Sequence, residues 1–155
     1  ETMDIVHVIE GEHDFEQGTK VIQKVDSATR KLHARWHTAG HLLALVIADE
    51  WEIDLKTMKA HQYPGEGYVE FPAGDRSVSS EDMEVLDQAY QDALDQNLSV
   101  TAHPKENGFR EVIIDGKSAI PCGGTHVKNI SEIGGTHVTK IKTKKGKVKV
   151  SYCLD

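Results

Sequence analysis

The sequence predicts an α+β fold in which a mostly antiparallel sheet packs against two main helices. Two observations support this prediction. Residues 27–50 and 79–97 carry apolar residues at helical spacing, and several shorter segments alternate apolar and polar residues between turns that contain Gly or Pro. Because the short segments follow one another as hairpins, antiparallel pairing against a helical layer is the favoured architecture.

Composition limits the class of protein. The 155 residues are enough for one domain with a sizeable core, and no stretch approaches the ~18 apolar residues of a membrane span. Cys122 and Cys153 are too few for a disulfide framework, so we expect a cytoplasmic protein without membrane contact. The net charge is −7, yet residues 128–155 contain seven lysines and two acidic residues. A basic end on an acidic body suits a local contact with nucleic-acid phosphates.

The first 26 residues predict two strands, at 5–9 and 19–25, around a turn that contains glycine. We expect residues 1–26 to be the last strands of a truncated N-terminal β unit, and residues 27–155 to form the main domain. The alternative is a self-contained hairpin that packs on that domain.

The main helix is predicted at 27–50, with Asp26 or Ser27 as its N-cap and an apolar second half that is expected to be buried. A hairpin follows, with strands at 56–62 and 68–71 joined by a Pro-Gly-Glu-Gly turn.

The second helix is predicted at 79–97, where Ser79 and Asp82 resemble a capping box and an apolar stripe forms part of the core. Two further strands are predicted at 98–103 and 109–114.

A final hairpin is predicted, with strands at 136–143 and 147–154. Five lysines alternate along these strands and therefore share one face: Lys140, Lys142, Lys144, Lys147 and Lys149. This lysine ribbon is a candidate track for phosphates, and its first three members are predicted to bind substrate. The alternative is a sheet edge whose charge prevents pairing with other strands.

Four side chains from two distant motifs predict a metal site. His37 and His41, in His-Thr-Ala-Gly-His, are four residues apart in the main helix and project from one face. Cys122 and His126, in Pro-Cys-Gly-Gly-Thr-His, flank two glycines that allow the loop to bend. Three imidazole nitrogens and one sulfur form a tetrahedral set that suits zinc. The alternative is a solvated pair of helix histidines and a buried, apolar cysteine.

Three further candidates neighbour these motifs. His33 lies one turn before His37, where it could contact a ribose or phosphate, bind the metal or remain solvated. Thr38 could offer its hydroxyl to a pocket or donate back to the carbonyl of Ala34. Gln62 lies at the turn end of the predicted hairpin, where it could line a pocket or the surface.

The sequence Gly-Gly-Thr-His-Val occurs twice, at 123–127 and 134–138. The second copy has no preceding cysteine and falls in a predicted strand. We therefore expect its histidine, His137, to be a non-ligand.

Two classes of enzyme are excluded by their motifs. A zinc protease of the His-Glu-x-x-His type needs a glutamate beside the first histidine as its general base, and this chain has Thr38 there. The second class is the nucleotide-binding enzymes that use the phosphate-binding motif GxxxxGK[ST], because this motif is absent from the sequence.

The motifs HTAGHLL and PCGGTHV, the EIG that follows the second, and the closing IKTKKGKVKVSY resemble the editing domain of alanyl-tRNA synthetases and the freestanding AlaX proteins. The resemblance runs from about residue 20 to the C-terminus. The Gly-Gly-Thr of the cysteine loop is similar to the alanyl type rather than to the editing domain of threonyl-tRNA synthetases.

The resemblance implies an enzyme that hydrolyses mischarged Ser-tRNA(Ala), with Gly-tRNA(Ala) as a second substrate. Its partner would be the acceptor stem and aminoacylated 3′ end of tRNA, its cofactor Zn²⁺ on the four residues above, and its catalytic candidates Thr38 and Thr125, which would recognise a seryl hydroxyl. Two alternatives stay open. One is a non-catalytic tRNA-binding module with structural zinc, and the other is an editing fragment of a full-length alanyl- or threonyl-tRNA synthetase.

Overall fold

The computed structural model describes residues 6–105 and 109–155, which form two helices and two antiparallel sheets. The helices are α1 (Ser27–Trp51) and α2 (Ser80–Leu94). The strands are β1 (Lys59–His61), β2 (Tyr68–Pro72), β3 (Val100–Pro104), β4 (Arg110–Ile114), β5 (Ile120–Pro121), β6 (Thr136–Lys144) and β7 (Lys147–Leu154). One sheet has the strand order β1-β2-β7-β6 and the other β3-β4-β5. The predicted α+β class is confirmed, with two sheets where one was expected.

Helix α1 is the central element of the core. Asp26 caps it by accepting a hydrogen bond of 2.8 Å from the backbone N–H of Thr29, as the sequence predicted. Residues 38–47 are all buried, and Leu42, Leu43 and Ile47 have no exposed surface. This burial fixes the rotation of the helix and hence the direction in which its histidines project.

Helix α2 begins at the predicted capping box, in which Ser79 and Asp82 each accept a hydrogen bond from the other's backbone N–H. The hydroxyl of buried Tyr90 donates to the carbonyl of Ala39 at 3.0 Å and so ties α2 to α1. The helix ends three residues before the predicted position 97, because Asn97 takes a left-handed conformation (φ 53°) that stops helical bonding.

The hairpin strand predicted at 56–62 is shorter than expected. Residues 55–57 form a 3₁₀ turn, which Asp54 caps by accepting from the N–H of Lys56 at 2.9 Å. Strand β5 and a 3₁₀ turn at Ile130–Ile133 were not predicted. They bracket the cysteine loop, and β5 holds its start through a 3.0 Å bond from the N–H of Cys122 to the carbonyl of Arg110.

The N-terminal strands predicted at 5–9 and 19–25 are wrong for the described part of that segment. Residues 6–25 are exposed and form no strand, and Ile5 lies outside the described residues. A strand needs a partner for its N–H and C=O groups, and within the described part of this segment the hydrogen bonds join only Glu16 and Thr19. The division of the chain at residue 26 stays a prediction. Residues 106–108, between the strands predicted at 98–103 and 109–114, also lie outside the described range.

A β-bulge in β6 sets the direction of the lysine ribbon. Val138 pairs with Tyr152 on the core face, and the next pair is Lys140 with Ser151, which leaves Thr139 as an extra residue. In a regular strand Lys140 would share the core face with Val138, because alternate residues face the same side. The bulge turns the lysines to solvent instead.

No helix within the described ranges combines the length and the apolar character that crossing a lipid bilayer would require.

Replacing Ser79 with Ala should lower the free energy of unfolding by about 1 kcal/mol, because the first turn of α2 loses its capping acceptor. Urea denaturation followed by circular dichroism measures this change. The matched control is Ser80→Ala, which removes an exposed hydroxyl one residue later, inside the helix. Equal midpoints for the two variants would contradict the capping role.

Candidate metal centre

The four predicted metal ligands come together in one cluster. His37 and His41 project from α1, and Cys122 and His126 come from the loop after β5. The sulfur of Cys122 lies 3.3 Å from Nε2 of His37 and 3.4 Å from Nε2 of His126. One potential ligand atom from each residue lies within 4.8 Å of the others, so the group could hold a metal ion.

The three imidazoles are packed tightly against one another. Their ring centroids are 4.8 Å apart for His37 and His41, 4.1 Å for His37 and His126, and 4.6 Å for His41 and His126. Nδ1 of His41 is a buried polar atom with no hydrogen-bond partner among the described residues. A buried polar atom without a partner is costly, and at a set of convergent ligands it is consistent with a bound ion.

The electrostatics keep these imidazoles neutral. Burial, and then the neighbouring His126 and His37, lower the pKa of His41 to about 3. Burial, His37 and Arg110 lower the pKa of His126 to about 4. Burial also lowers the pKa of His37, against an opposing backbone hydrogen bond with Thr125. Neutral imidazole is the form that binds a metal ion, since the ligand needs a free lone pair.

Gly124 allows the cysteine loop to approach the helix closely. A side chain at Gly124 would collide with the ring of His37, so only glycine permits the loop to lie there. The backbone N–H of Gly124 points at the sulfur of Cys122 from 3.3 Å, and the guanidinium of Arg110 donates to the carbonyl of Gly123. These bonds hold the thiol towards the histidines.

Thr38 occupies a fully buried position between α1 and the loop. Its hydroxyl donates to the carbonyl of Ala34 at 2.9 Å, the local bond that the sequence suggested as one alternative. The oxygen then accepts from the N–H of Val127 at 3.2 Å and faces Nδ1 of His126 at 3.1 Å. Because the hydroxyl has one hydrogen, which Ala34 accepts, Nδ1 of His126 must donate. Nε2 of His126 is then left unprotonated, facing Cys122.

An open cavity of about 340 Å³ adjoins the cluster at His37. Three further predicted site residues line it: His33, Gln62 and Thr125. The ring of His33 meets that of Tyr63 edge-on at 5.2 Å. The cavity is large enough for an aminoacyl group. Beside the candidate metal ligands it presents the hydroxyl of Thr125, the amide of Gln62 and the rings of His33 and Tyr63.

Gly40 explains how Gln62 reaches this cavity. A Cβ at Gly40 would lie 2.5 Å from Cγ of Gln62 and 2.7 Å from the hydroxyl of Tyr152. The glycine between the two histidines of α1 therefore makes room for the hairpin that carries Gln62.

The lysine ribbon lies on the outer face of the four-stranded sheet. Lys147 forms an ion pair of 2.6 Å with Glu70, and the ammonium of Lys149 lies 3.3 Å from the ring centroid of Tyr68. Among the described residues, the side chains of the three predicted substrate contacts have no hydrogen-bond or ion-pair partner: Lys140, Lys142 and Lys144. They are available to bind an external anion.

Two residues that contribute to this region were not predicted from the sequence. Tyr63 follows Gln62 directly, and an exposed aromatic beside a pocket residue was a usable signal. Arg110 gave none, because its contact with Gly123 spans two strands and a loop. His137 lies outside the cluster and contacts Cys153 and Asp155 instead.

Comparison with known proteins gives consistent matches. Residues 110–149 match the model of the family described as the threonyl and alanyl tRNA synthetase second additional domain. The alanyl-tRNA editing protein AlaX-M of Methanosarcina barkeri is 27% identical over 91% of this chain and 67% of its own length. The AlaX-M of Pyrococcus horikoshii is 26% identical over 88% of this chain and 61% of its own length.

A longer class of protein matches as well. The alanine–tRNA ligase of Thermotoga maritima is 29% identical over 76% of this chain, which covers only 16% of the ligase. The chain thus spans about two thirds of the AlaX-M proteins and about a sixth of this ligase. Freestanding and synthetase-borne relatives thus both align with most of this chain, and the residues matched by the family model include the cysteine loop; the chain is similar to the AlaX editing proteins and to the alanine–tRNA ligases.

Proposed function

We propose that this protein hydrolyses the ester of mischarged Ser-tRNA(Ala). Water adds to the ester carbonyl, the bond to the ribose oxygen breaks, and that oxygen takes a proton. The products are the free amino acid and intact tRNA. The observation that carries this proposal is the cluster of three neutral imidazoles and a thiol beside a cavity that holds Gln62 and Thr125.

The donor set fits zinc. Bonds of ~2.3 Å to sulfur and ~2.0 Å to nitrogen in a tetrahedral site separate those two atoms by about 3.5 Å. The sulfur of Cys122 is 3.3 Å from His37 and 3.4 Å from His126, close to that spacing. Zinc bound there would polarise the ester carbonyl and lower the pKa of a bound water.

The chain's own residues hold and orient the reacting groups. Thr38 is better suited to position His126 than to recognise a seryl hydroxyl, because its hydrogen and lone pairs are already used. Thr125 is exposed in the cavity and Gln62 reaches it from the hairpin, so these two are the best partners for that hydroxyl. His33 and Tyr63 offer a wall on which the terminal adenosine could stack.

Discrimination between Ser-tRNA(Ala) and Ala-tRNA(Ala) follows from the polar groups of the cavity that the alanyl ester leaves unpaired. A site that hydrogen-bonds a substrate hydroxyl rejects an analogue that lacks it, because the partner group loses its bond. Ala-tRNA(Ala) would leave Thr125 and Gln62 without that partner. We expect this loss to protect the correctly charged tRNA from hydrolysis.

The lysine ribbon supplies the contact with tRNA phosphates. Lys140, Lys142 and Lys144 face solvent on an overall acidic protein, which favours a local electrostatic contact over general adhesion. We place the activity in the cytoplasm, since both cysteines are free thiols.

A second candidate function is a non-catalytic tRNA-binding module. The observation that favours it is the number of ligands: four protein side chains complete a tetrahedral zinc site, as in structural zinc centres. Under the first proposal one ligand leaves, the metal accepts a fifth ligand, or the metal only positions the terminal adenosine and the amino acid. An editing segment within a full-length synthetase would perform the same reaction.

The purified protein should deacylate Ser-tRNA(Ala) at least about tenfold faster than Ala-tRNA(Ala), because only the seryl ester fills the polar contacts of the cavity. Release of radiolabelled amino acid measures both rates. His126→Ala should abolish the reaction and retain tRNA affinity. The matched control is His103→Ala, which removes an exposed histidine on β3.

Equal rates on the two substrates would contradict the editing proposal. Loss of tRNA binding by His126→Ala, with no deacylation by the wild type, would support the non-catalytic module.

Thr38→Val should weaken zinc binding about 10- to 100-fold, because the acceptor that orients His126 is lost while the side-chain shape remains. Competition with a chromophoric chelator measures the affinity. Thr38→Ser keeps the hydroxyl and should restore zinc binding to near the wild-type value. If Val and Ser behave alike, Thr38 has no positioning role.

Replacing Lys140, Lys142 and Lys144 together with Ala should lower tRNA affinity and reduce the slope of log K against log salt by up to about three. Filter binding at several salt concentrations gives the slope. The control exchanges three exposed lysines elsewhere: Lys20, Lys24 and Lys56. An unchanged slope in the ribbon variant, or an equal loss in the control, would argue for the protected-edge alternative.

A further inference from the structure

The second copy of Gly-Gly-Thr-His-Val has a thiol of its own. Its histidine, His137, lies directly across the β6–β7 ladder from Cys153, and Nε2 of the ring is 3.2 Å from the sulfur. Asp155 follows on the same strand end, with a carboxylate oxygen 3.8 Å from Nδ1 of His137. Each of the chain's two cysteines therefore faces the histidine of one copy of the motif.

The three side chains have the arrangement of a metal site with an open position. One potential ligand atom from each lies within 4.8 Å of the others. The side chains of His137 and Asp155 are 47% and 69% exposed, so an ion can enter from solvent. Imidazole, thiolate and carboxylate together are a ligand set that zinc accepts, with water in the fourth position.

The backbone around the cluster is held in place from three sides. The N–H of Asp155 donates to the carbonyl of Gly135 at 2.9 Å. Arg35 of α1 donates to the carbonyl of Ile133 at 2.6 Å and approaches that of Asp155 at 3.5 Å. Cross-strand pairing fixes the separation of His137 and Cys153. The ligands are thus positioned by ladder and helix contacts rather than by a free loop.

We propose that His137, Cys153 and Asp155 form a second Zn²⁺ site, separate from the centre on α1. It revises the expectation that His137 is a non-ligand. The site joins the ends of β6 and β7 through a metal ion, and it is independent of the proposed hydrolysis.

The carboxylates around the thiol disfavour a reactive thiolate in the free protein, and they would attract a cation. Burial and the carboxylates of Asp155 and Asp87 raise the pKa of Cys153, so little thiolate is present at neutral pH. A bound cation would reverse the shift in the pKa of Cys153. The same carboxylates would then face a positive charge, and the thiol would give up its proton to the solvent. Asp87 is itself held by the N–H of Val138 at 2.7 Å, next to the ligand histidine.

The test is the zinc content of the full chain and of single-site variants after equilibration with buffered Zn²⁺. The wild type should hold about two equivalents, and Cys122→Ser and Cys153→Ser about one each, because each variant removes one thiolate ligand. Co²⁺ substitution adds a spectroscopic readout, since each variant should lose about half of the thiolate-to-cobalt absorption.

His137→Gln provides a second variant in case Cys153→Ser disturbs β7, because the histidine is exposed. It should also hold about one equivalent, whereas the matched control His103→Gln should hold about two. In Cys122→Ser, which keeps only the second site, Zn²⁺ should still raise the melting temperature, and adding Cys153→Ser should remove that rise.

One outcome overturns the second site and spares the proposed hydrolysis: a single equivalent in the wild type that Cys122→Ser abolishes and Cys153→Ser and His137→Gln leave intact. Two equivalents with no Ser-tRNA(Ala) hydrolysis would retain the second site and refute the proposed function. Absence of bound zinc from the wild type would refute both metal sites.

Discussion

The buried hydroxyl of Thr38 is the contact on which the candidate site depends. It joins α1 to two residues of the cysteine loop, His126 and Val127, which lie 88 and 89 residues further along the chain. One oxygen satisfies the N–H of Val127 and fixes the proton of His126, while its hydrogen returns to Ala34. The bonds to Ala34 and Val127 are buried and the contact with His126 is partly buried, which strengthens them and makes their loss costly.

Two glycines allow the side chains around that contact to pack into a compact cluster. Glycine at 40 admits Gln62 and Tyr152 to the face of α1, and glycine at 124 admits the loop to the ring of His37. Neither position has a left-handed backbone conformation, so the requirement is for space rather than for an unusual φ. Side-chain volume at these two positions therefore controls whether imidazoles, thiol and cavity can adjoin one another.

Local sequence signals predicted the elements that are determined locally. The N-cap Asp26, the capping box at Ser79 and the closing hairpin depend on neighbouring residues, and all three are present. The convergence of His37 with Cys122 was predictable because ligand chemistry constrains distant residues. The contacts of Arg110, the split into two sheets and the bulge at Thr139 depend on tertiary packing, which no local pattern records. The predicted N-terminal strands failed in 6–25 because alternation specifies a strand only where a partner is present.

The bulge at Thr139 links the core to the charge distribution of the surface. Before the bulge, Thr136 and Val138 face inwards; after it, the even-numbered positions carry Lys140, Lys142 and Lys144 and face outwards. A one-residue shift in a strand exchanges its two faces, so without the extra residue these ammonium groups would point at the core. Burial of Val138 and exposure of the lysines are thus compatible only through this irregularity. The same ladder sets His137 opposite Cys153 before the bulge begins, so the lysine ribbon and the proposed second metal site occupy opposite ends of one hairpin. Their separation along the strand allows a cation to bind at one end without occupying the lysine face at the other.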